Sequence, residues 1–184
     1  MGTPPVMRTW APGDALDSAT LNSQLRDAVN FALTTPRCCA VKSIGSSQNI
    51  TTATYTVLGL DAEQYDTDGM HAPSVNNSRV YAQTPGWYQI TARCSFQTSA
   101  TGNRRGVAVR LNAAGSWSGG TFLSDMYASP MTGIWTGVTA TFSYQLRAGD
   151  YVEMFGYQDS GGTIGVQTSL AGYNALTVTW SAPL

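Results

Sequence analysis

The sequence predicts a mainly β fold in which two antiparallel sheets pack face to face as a jelly roll, with one short α-helix at the N-terminus. From residue 40 onward apolar and polar side chains alternate with period two, and Gly, Asn, Asp and Pro interrupt the alternation. Roughly eight to ten strands with one apolar face each result, which is typical of a sandwich. The segments show no fixed repeat, as a propeller would require, and they alternate too regularly for doubly buried parallel strands.

Length and composition limit the classes of protein. The chain has 184 residues, enough for one domain with a short appendage. Only 11% of the residues are charged, and ten Lys plus Arg against 11 Asp plus Glu give a net charge of -1, so nucleic acid is not an expected partner. Neither a secretory signal nor a membrane-spanning apolar run is visible. We therefore expect a soluble protein made in the cytoplasm, without membrane insertion.

Residues 1–37 differ from the rest and are predicted to form an attachment segment, followed by a head domain over residues 38–184. A helix is predicted over about 17–33, with Asp17 or Ser18 as N-cap and Pro36 beyond its end. One apolar stripe follows helical spacing and consists of Leu21, Leu25, Ala28 and Ala32. An isolated helix of this length is marginal in water, so it should dock on its own domain, on copies of itself or on another protein. Trp10 is assigned to the same attachment surface.

Four long strands carry the alternation in the head domain. Their apolar positions are Tyr88, Ile90, Ala92, Cys94 and Phe96; Val107, Val109 and Leu111; Val138, Ala140, Phe142, Tyr144 and Leu146; and Leu176, Val178 and Trp180. The shorter predicted strands are 39–43, 52–58, 78–82, 121–127 and 163–166. Each long strand is expected to bury one face and to leave the other in solvent.

A fifth long strand, within residues 149–162, is apolar on both faces. One face carries Val152, Met154 and Gly156, and the other carries Glu153 between aromatic side chains. The aromatic residues are Tyr151, Phe155 and Tyr157. They need a cover, either a second layer of the same subunit or a neighbouring subunit. The neighbouring subunit is favoured, which predicts that these three residues form an interface between copies.

The sequence shows no convincing catalytic, cofactor or metal site. His71 is the only histidine, so a histidine metal cluster is excluded. The acidic residues before Gly69 lack the spacing of a calcium-binding loop, and nothing fixes the separation of a glycosidase-type carboxylate pair. Cys38, Cys39 and Cys94 form no disulfide framework and are expected to be buried thiols, although Cys38 and Cys39 could form a vicinal bridge.

Two features offer candidate ligand contacts. Arg104 and Arg105 lie at a predicted loop tip, where binding residues of a rigid sandwich often occur, and they could contact an acidic partner or a glycan carboxylate. The alternative is a solvated hairpin tip. Trp117, Tyr127 and Trp135 could stack on sugars, and packing in the core or between subunits is an equal alternative for them.

The head resembles the trimeric jelly rolls of the complement and tumour-necrosis-factor type over about residues 50–184. The resemblance rests on three motifs in one order: Tyr65-Asp66-Thr67-Asp68-Gly69-Met70-His71, Thr84-Pro85-Gly86-Trp87-Tyr88-Gln89-Ile90-Thr91-Ala92, and Gly149-Asp150-Tyr151-Val152-Glu153. The front end resembles the short N-terminal helix of tail-associated structural proteins in phages of actinobacteria. It does so through Trp10-Ala11-Pro12-Gly13-Asp14 followed by Leu21-Asn22-Ser23-Gln24-Leu25-Arg26-Asp27-Ala28-Val29-Asn30-Phe31.

The resemblance implies a homotrimer displayed on a bacteriophage virion, assembled in the host cytoplasm. The head would point outward, and the N-terminal segment would bind other virion proteins. Tyr151, Phe155 and Tyr157 match the family strand whose aromatic residues line the threefold axis. The expected function is that of a non-enzymatic minor tail or fibre protein, with a host surface glycan as a candidate partner. The alternatives are a capsid decoration protein, an unattached carbohydrate-binding module and a jelly-roll hydrolase.

Overall fold

A computed structural model describes residues 8–15, 17–170 and 172–184 and confirms the mainly β class. The helical segment comprises α1 (Ser18–Leu21), a π-helical turn (Asn22–Arg26) and α2 (Asp27–Leu33). The strands are β1 (Arg37–Val41), β2 (Asn49–Ile50), β3 (Thr56–Val57), β4 (Ala62–Asp66), β5 (Arg79–Tyr81), β6 (Gly86–Phe96), β7 (Arg105–Leu111), β8 (Thr121–Ala128), β9 (Thr136–Leu146), β10 (Tyr151–Gln158), β11 (Ile164–Gly165) and β12 (Ala175–Ala182).

The strands form two main sheets with antiparallel pairing throughout. The first sheet has the order β4-β1-β12-β6-β9. The second has the order β3-β10-β7-β8. The edge of β10 that pairs with β3 also pairs with β5, which lies nearer the start of β10. A small ladder joins β11 to β2. The non-consecutive neighbours mean that the chain crosses between the sheets, as expected for a jelly roll.

The core lies between the two sheets and contains most of the side chains that the alternation assigned to it, whereas those of Leu111, Phe142, Tyr144 and Trp180 are only partly buried and pack against it. Tyr88, Ile90 and Phe96 of β6 are fully buried, and Val152 and Met154 of β10 face them from the second sheet. The intervening positions of β6 carry mostly polar side chains. Because the side-chain period of a strand is two, the sequence alone was sufficient to assign these faces.

The predicted and observed strands differ most at the edges. The stretch predicted as one strand over 52–58 contains only the short strand β3, because Ala53 adopts a positive φ of 54° in the turn that precedes it. The sequence did not predict β4, whose residues are half-buried or exposed and therefore show no apolar alternation. Its backbone pairs with β1, so ladder hydrogen bonds rather than burial define this strand.

The N-terminal helix forms within the predicted bounds. The carboxylate of Asp17 caps it by accepting a hydrogen bond from the Thr20 backbone nitrogen at 2.8 Å. The helix ends at Leu33, and the hydroxyl of Thr34 donates a hydrogen bond to the Asn30 carbonyl at 2.7 Å. Pro36 then precedes β1. No residue of this helix is buried. Among the described residues, no helix is long and apolar enough to cross a membrane.

Candidate functional site

The N-terminal helix exposes the apolar stripe that was predicted for attachment. Leu25 is 56% exposed and Leu21 is 37% exposed. Trp10 and Ala32 are also exposed, and Ala28 is half-buried. Val29 and Leu33, which the prediction did not include, are exposed as well and extend the stripe. Phe31 makes the aromatic contact with the head by packing edge-on against Trp180, with 5.1 Å between ring centroids. The C-terminal end of the helix therefore contacts the head, and most of the stripe is exposed to solvent.

The outer face of β10 is covered by the same subunit. Phe155 is fully buried, and the ring of Trp117, from the loop between β7 and β8, lies 5.7 Å away. Trp117 is stacked on Tyr55 at 3.4 Å, and the Arg110 guanidinium lies 4.8 Å from its centroid. The expectation that Phe155 contacts a neighbouring subunit is therefore wrong, because a loop of its own subunit already shields the ring.

The two tyrosines of the predicted interface are half-buried and have partners of their own. Tyr151 packs on Tyr81 at 5.1 Å and lies under the Arg79 guanidinium at 4.6 Å. Tyr157 packs on Tyr55 at 4.8 Å. Whether Tyr151 and Tyr157 also contact a second copy stays a prediction.

Glu153 lies on the same face and is fully buried. Its carboxylate accepts hydrogen bonds from the Ser78 hydroxyl at 2.6 Å, from the Gly115 backbone nitrogen at 2.9 Å and from Arg79 Nε at 3.3 Å. A buried carboxylate needs such donors, because an unpaired charge away from water is costly. Glu153 thereby fixes the loop that carries Trp117.

The proposed ligand loop contains one accessible arginine rather than two. Arg104 is exposed, whereas Arg105 is fully buried. The Arg105 guanidinium donates hydrogen bonds to the carbonyls of Ser99, Thr101 and Arg104 at 3.1, 2.8 and 2.9 Å. It also lies 3.9 Å from Asp159. The assignment of Arg105 to ligand binding is therefore wrong, since its donors hold the loop together.

The aromatic residues that could stack on sugars are engaged inside the subunit. Trp117 has partners on both faces, as described above. The hydroxyl of Tyr127 is hydrogen-bonded to that of Tyr55, and Trp135 packs on Tyr173 at 4.8 Å. These contacts correspond to the packing alternative for all three residues.

The acidic turn and the single histidine form a structural cluster. His71 Nδ1 lies 2.8 Å from Glu63 Oε1, and its Nε2 lies 3.1 Å from the Asn77 carbonyl. Asp66 accepts backbone hydrogen bonds from Asp68 at 3.1 Å and from His71 at 2.9 Å. In the described ranges, no group of three or more His, Cys, Asp or Glu residues is arranged to hold a metal ion.

One end of the sandwich contains a cavity that was not predicted from the sequence. Its volume is about 390 Å³, and it is lined by Trp87, Leu111, Tyr144, Gln145, Arg147 and Asp150. Trp87 is 44% exposed. The alternation in β6 places Trp87 on the polar face of that strand, with Gln89 and Thr91. A large aromatic residue on a polar face was the sequence signal that could have indicated a binding site here.

Comparisons with known proteins show the fold. No protein-family model matches the chain, and no curated protein sequence matches it. The globular domain of zebrafish complement 1qA is 11% identical, with a TM-score of 0.52 over 80% of this chain and 98% of that chain. Eiger TNF from S. frugiperda is 12% identical, with a TM-score of 0.57 over 81% of this chain and 95% of that chain. The chain therefore has a jelly-roll fold similar to those of C1q and TNF domains.

Proposed function

We propose that this chain is a non-enzymatic structural protein of a bacteriophage particle, whose jelly-roll head is displayed on the surface and whose N-terminal segment binds other virion proteins. The observation that carries the proposal is the apolar stripe of the helix between Ser18 and Leu33, which the head leaves largely exposed.

The exposed stripe supports a partner because its burial would be favourable. Leu25, Val29 and Leu33 are each more than half exposed. Fully burying a side chain of this size stabilises a complex by about 1.5–3 kcal/mol. A helix of this length gains little stability from its own hydrogen bonds. The helix should therefore be stabilised when it docks, and the proposed attachment surface includes Trp10.

The proposal includes a homotrimer, as in the complement-type and tumour-necrosis-factor-type jelly rolls that the sequence resembles. Tyr151 and Tyr157 remain the proposed contacts from β10, since both keep part of their surface exposed. With a net charge of -1, copies of the chain can approach with little electrostatic repulsion. Light scattering on the purified chain tests this part: a monomer mass would remove the trimer from the proposal.

The decisive experiment locates the protein on intact particles. Particles are labelled with an antibody raised against residues 38–184 and examined by immunogold electron microscopy, with pre-immune serum as the control. Label on the tail would support a minor tail or fibre protein, and label over the shell would assign a decoration protein. Absence of label from particles that contain the chain by mass spectrometry would contradict surface display, and absence of the chain itself would contradict the virion role.

A carbohydrate-binding module is the second candidate, because the end cavity exposes an aromatic ring beside polar side chains. It predicts saturable sugar binding that does not require the N-terminal segment. Such binding by a chain that never enters particles would favour this candidate over the virion protein.

A further inference from the structure

We infer that the cavity at the end of the sandwich binds a neutral hexose unit of a glycan, with Trp87 as the stacking platform. The cavity measures about 390 Å³. Ligand cavities commonly measure about 300–1,000 Å³, so this one can hold one or two sugar rings. The inference extends the proposed function, and only the assignment of the glycan to a host surface rests on that function.

Trp87 differs from the other tryptophans in the neighbours of its ring. The chain has five tryptophans. The other four have aromatic or cationic neighbours: Arg8 over Trp10, Tyr55 on Trp117, Tyr173 on Trp135 and Phe31 on Trp180. Among the described residues, no aromatic ring or cation packs against Trp87. An exposed indole can pack on the apolar C–H face of a pyranose ring, which water solvates poorly.

Three polar side chains line the cavity beside this ring. Gln145 is directly opposite Trp87 in the β6–β9 ladder, and Arg147 follows at the end of β9. Within the described part of the chain, neither side chain makes a hydrogen bond or an ion pair, and the same is true of the Tyr144 hydroxyl. Amide and guanidinium groups offer several donors, which suits the hydroxyl groups around a sugar ring.

Asp150 provides a fixed acceptor in the lining of the cavity. Its Oδ2 accepts a hydrogen bond from the Arg147 backbone nitrogen at 2.8 Å, and its Oδ1 accepts one from Asn112 Nδ2 at 2.9 Å. Each oxygen retains a lone pair for a further donor. A carboxylate held in this way needs no reorientation to bind a ligand hydroxyl, and this lowers the entropic cost of binding.

The charges of the cavity favour an uncharged ligand. Arg147 and Asp150 line the same cavity and carry opposite charges. An anionic sugar would approach the Asp150 carboxylate, and a cationic ligand would approach the guanidinium. A neutral hexose can hydrogen-bond to both groups while its apolar face covers Trp87 and Leu111. The mixture of one aromatic platform, one apolar wall and several polar groups is the combination that such a ring requires.

Saturation-transfer NMR on the purified full chain tests the inference. The probes are methyl α-glucoside, methyl β-galactoside and N-acetylglucosamine, and sialic acid is the anionic comparison. We expect transfer to at least one neutral probe, with a dissociation constant on the order of 1 mM, and weaker transfer to sialic acid. Trp87→Ala and Arg147→Gln should each weaken binding about tenfold or more, which corresponds to roughly 1.4 kcal/mol.

The controls separate loss of the site from loss of the fold. Arg26→Gln removes an exposed arginine of the N-terminal helix, outside the head, and should leave binding unchanged. Trp87→Phe keeps an aromatic face and should retain part of the affinity. No transfer to any neutral probe, or unchanged binding in both Trp87→Ala and Arg147→Gln, would overturn the inference. Since the purified chain is used, this result is independent of particle labelling, and the two proposals can fail separately.

Discussion

Trp117 lies edge-on over Phe155, with 5.7 Å between the ring centroids, and shields that side chain from solvent. The tryptophan reaches this position because its loop folds back onto the outer face of β10. At Gly120, where φ is +59°, an added Cβ would lie 1.9 Å from the Leu111 carbonyl oxygen, so the loop requires glycine there. The aromatic face of β10 is thus a second small core of the subunit.

Replacing Trp117 by Ala should destabilise the head. The change removes the stacking with Tyr55 and the cover of Phe155, which together predict a loss of about 2–4 kcal/mol. Urea unfolding followed by circular dichroism measures it. Trp10→Ala is the matched control and should change stability by less than about 0.5 kcal/mol, because Trp10 is exposed outside the head. Unchanged stability together with loss of the oligomer would instead place Trp117 between subunits.

The faces of the strands could be predicted from the sequence, whereas the groups that cover them could not. The period of two assigned Val152 to the core and Phe155 to the outer face correctly. It carried no information on the loop before β8, because the path of that loop depends on a long-range hydrogen bond from Gly115 to Glu153. Local alternation cannot reveal a contact between residues distant in sequence.

The same limit applies to the candidate ligand residues. Arg104 and Arg105 are neighbours in a polar stretch and look equivalent in the sequence. Since successive side chains of an extended chain point to opposite sides, one reaches solvent and the other turns under the loop. The position of Trp87, in contrast, could be predicted, because the alternation in β6 alone places its large ring on the polar face of that strand.

Arg105→Met should destabilise the protein far more than Arg104→Met. The first change leaves the loop carbonyls of Ser99 and Thr101 without their charged donor, and the expected cost is about 2–4 kcal/mol. The second change affects an exposed side chain and should cost less than about 0.5 kcal/mol. Chemical unfolding of the two variants gives the difference. Equal effects would contradict the structural role of the Arg105 guanidinium.

Asp61 should make stability depend on pH in the acid range. Burial acts to raise the pKa of its carboxyl, but hydrogen bonds from Ser46, Lys42 and Ser43 outweigh it and hold that pKa well below the usual range. A carboxyl whose pKa is lower in the folded than in the unfolded chain stabilises the fold above its unfolded pKa of about 4. That stabilisation is lost as the pH falls through the folded-state value.

The test compares wild type with Asp61→Asn across this range. At pH 7 the variant should be less stable by about 2 kcal/mol, and the difference should narrow progressively below about pH 4. Asp27→Asn is the control, because the Asp27–Arg26 ion pair on the helix is exposed and exposed pairs contribute little. A difference that stayed constant down to pH 2 would show that the Asp61 charge does not stabilise the fold.

The cysteines should resist alkylation in the folded protein. All three are free and buried. Burial raises the pKa of the Cys38 and Cys94 thiols, and this keeps the reactive thiolate scarce at neutral pH. A maleimide followed by mass spectrometry should label few molecules at pH 7 and all three positions in denaturant. Rapid labelling of Cys94 without denaturant would contradict its place in the core.

Replacing both Leu25 and Val29 by Ser should separate attachment from folding. Each side chain is 56% exposed, so the unfolding free energy of the purified full chain should change by less than about 0.5 kcal/mol. Incorporation into particles should fall about tenfold or more, because two apolar side chains no longer become buried against a partner. Quantitative mass spectrometry of purified particles measures the incorporation. Asn22→Ser with Asn30→Ser alters exposed polar positions of the same helix and should preserve it. Full incorporation of the Leu25 and Val29 variant would show that the stripe does not attach the protein.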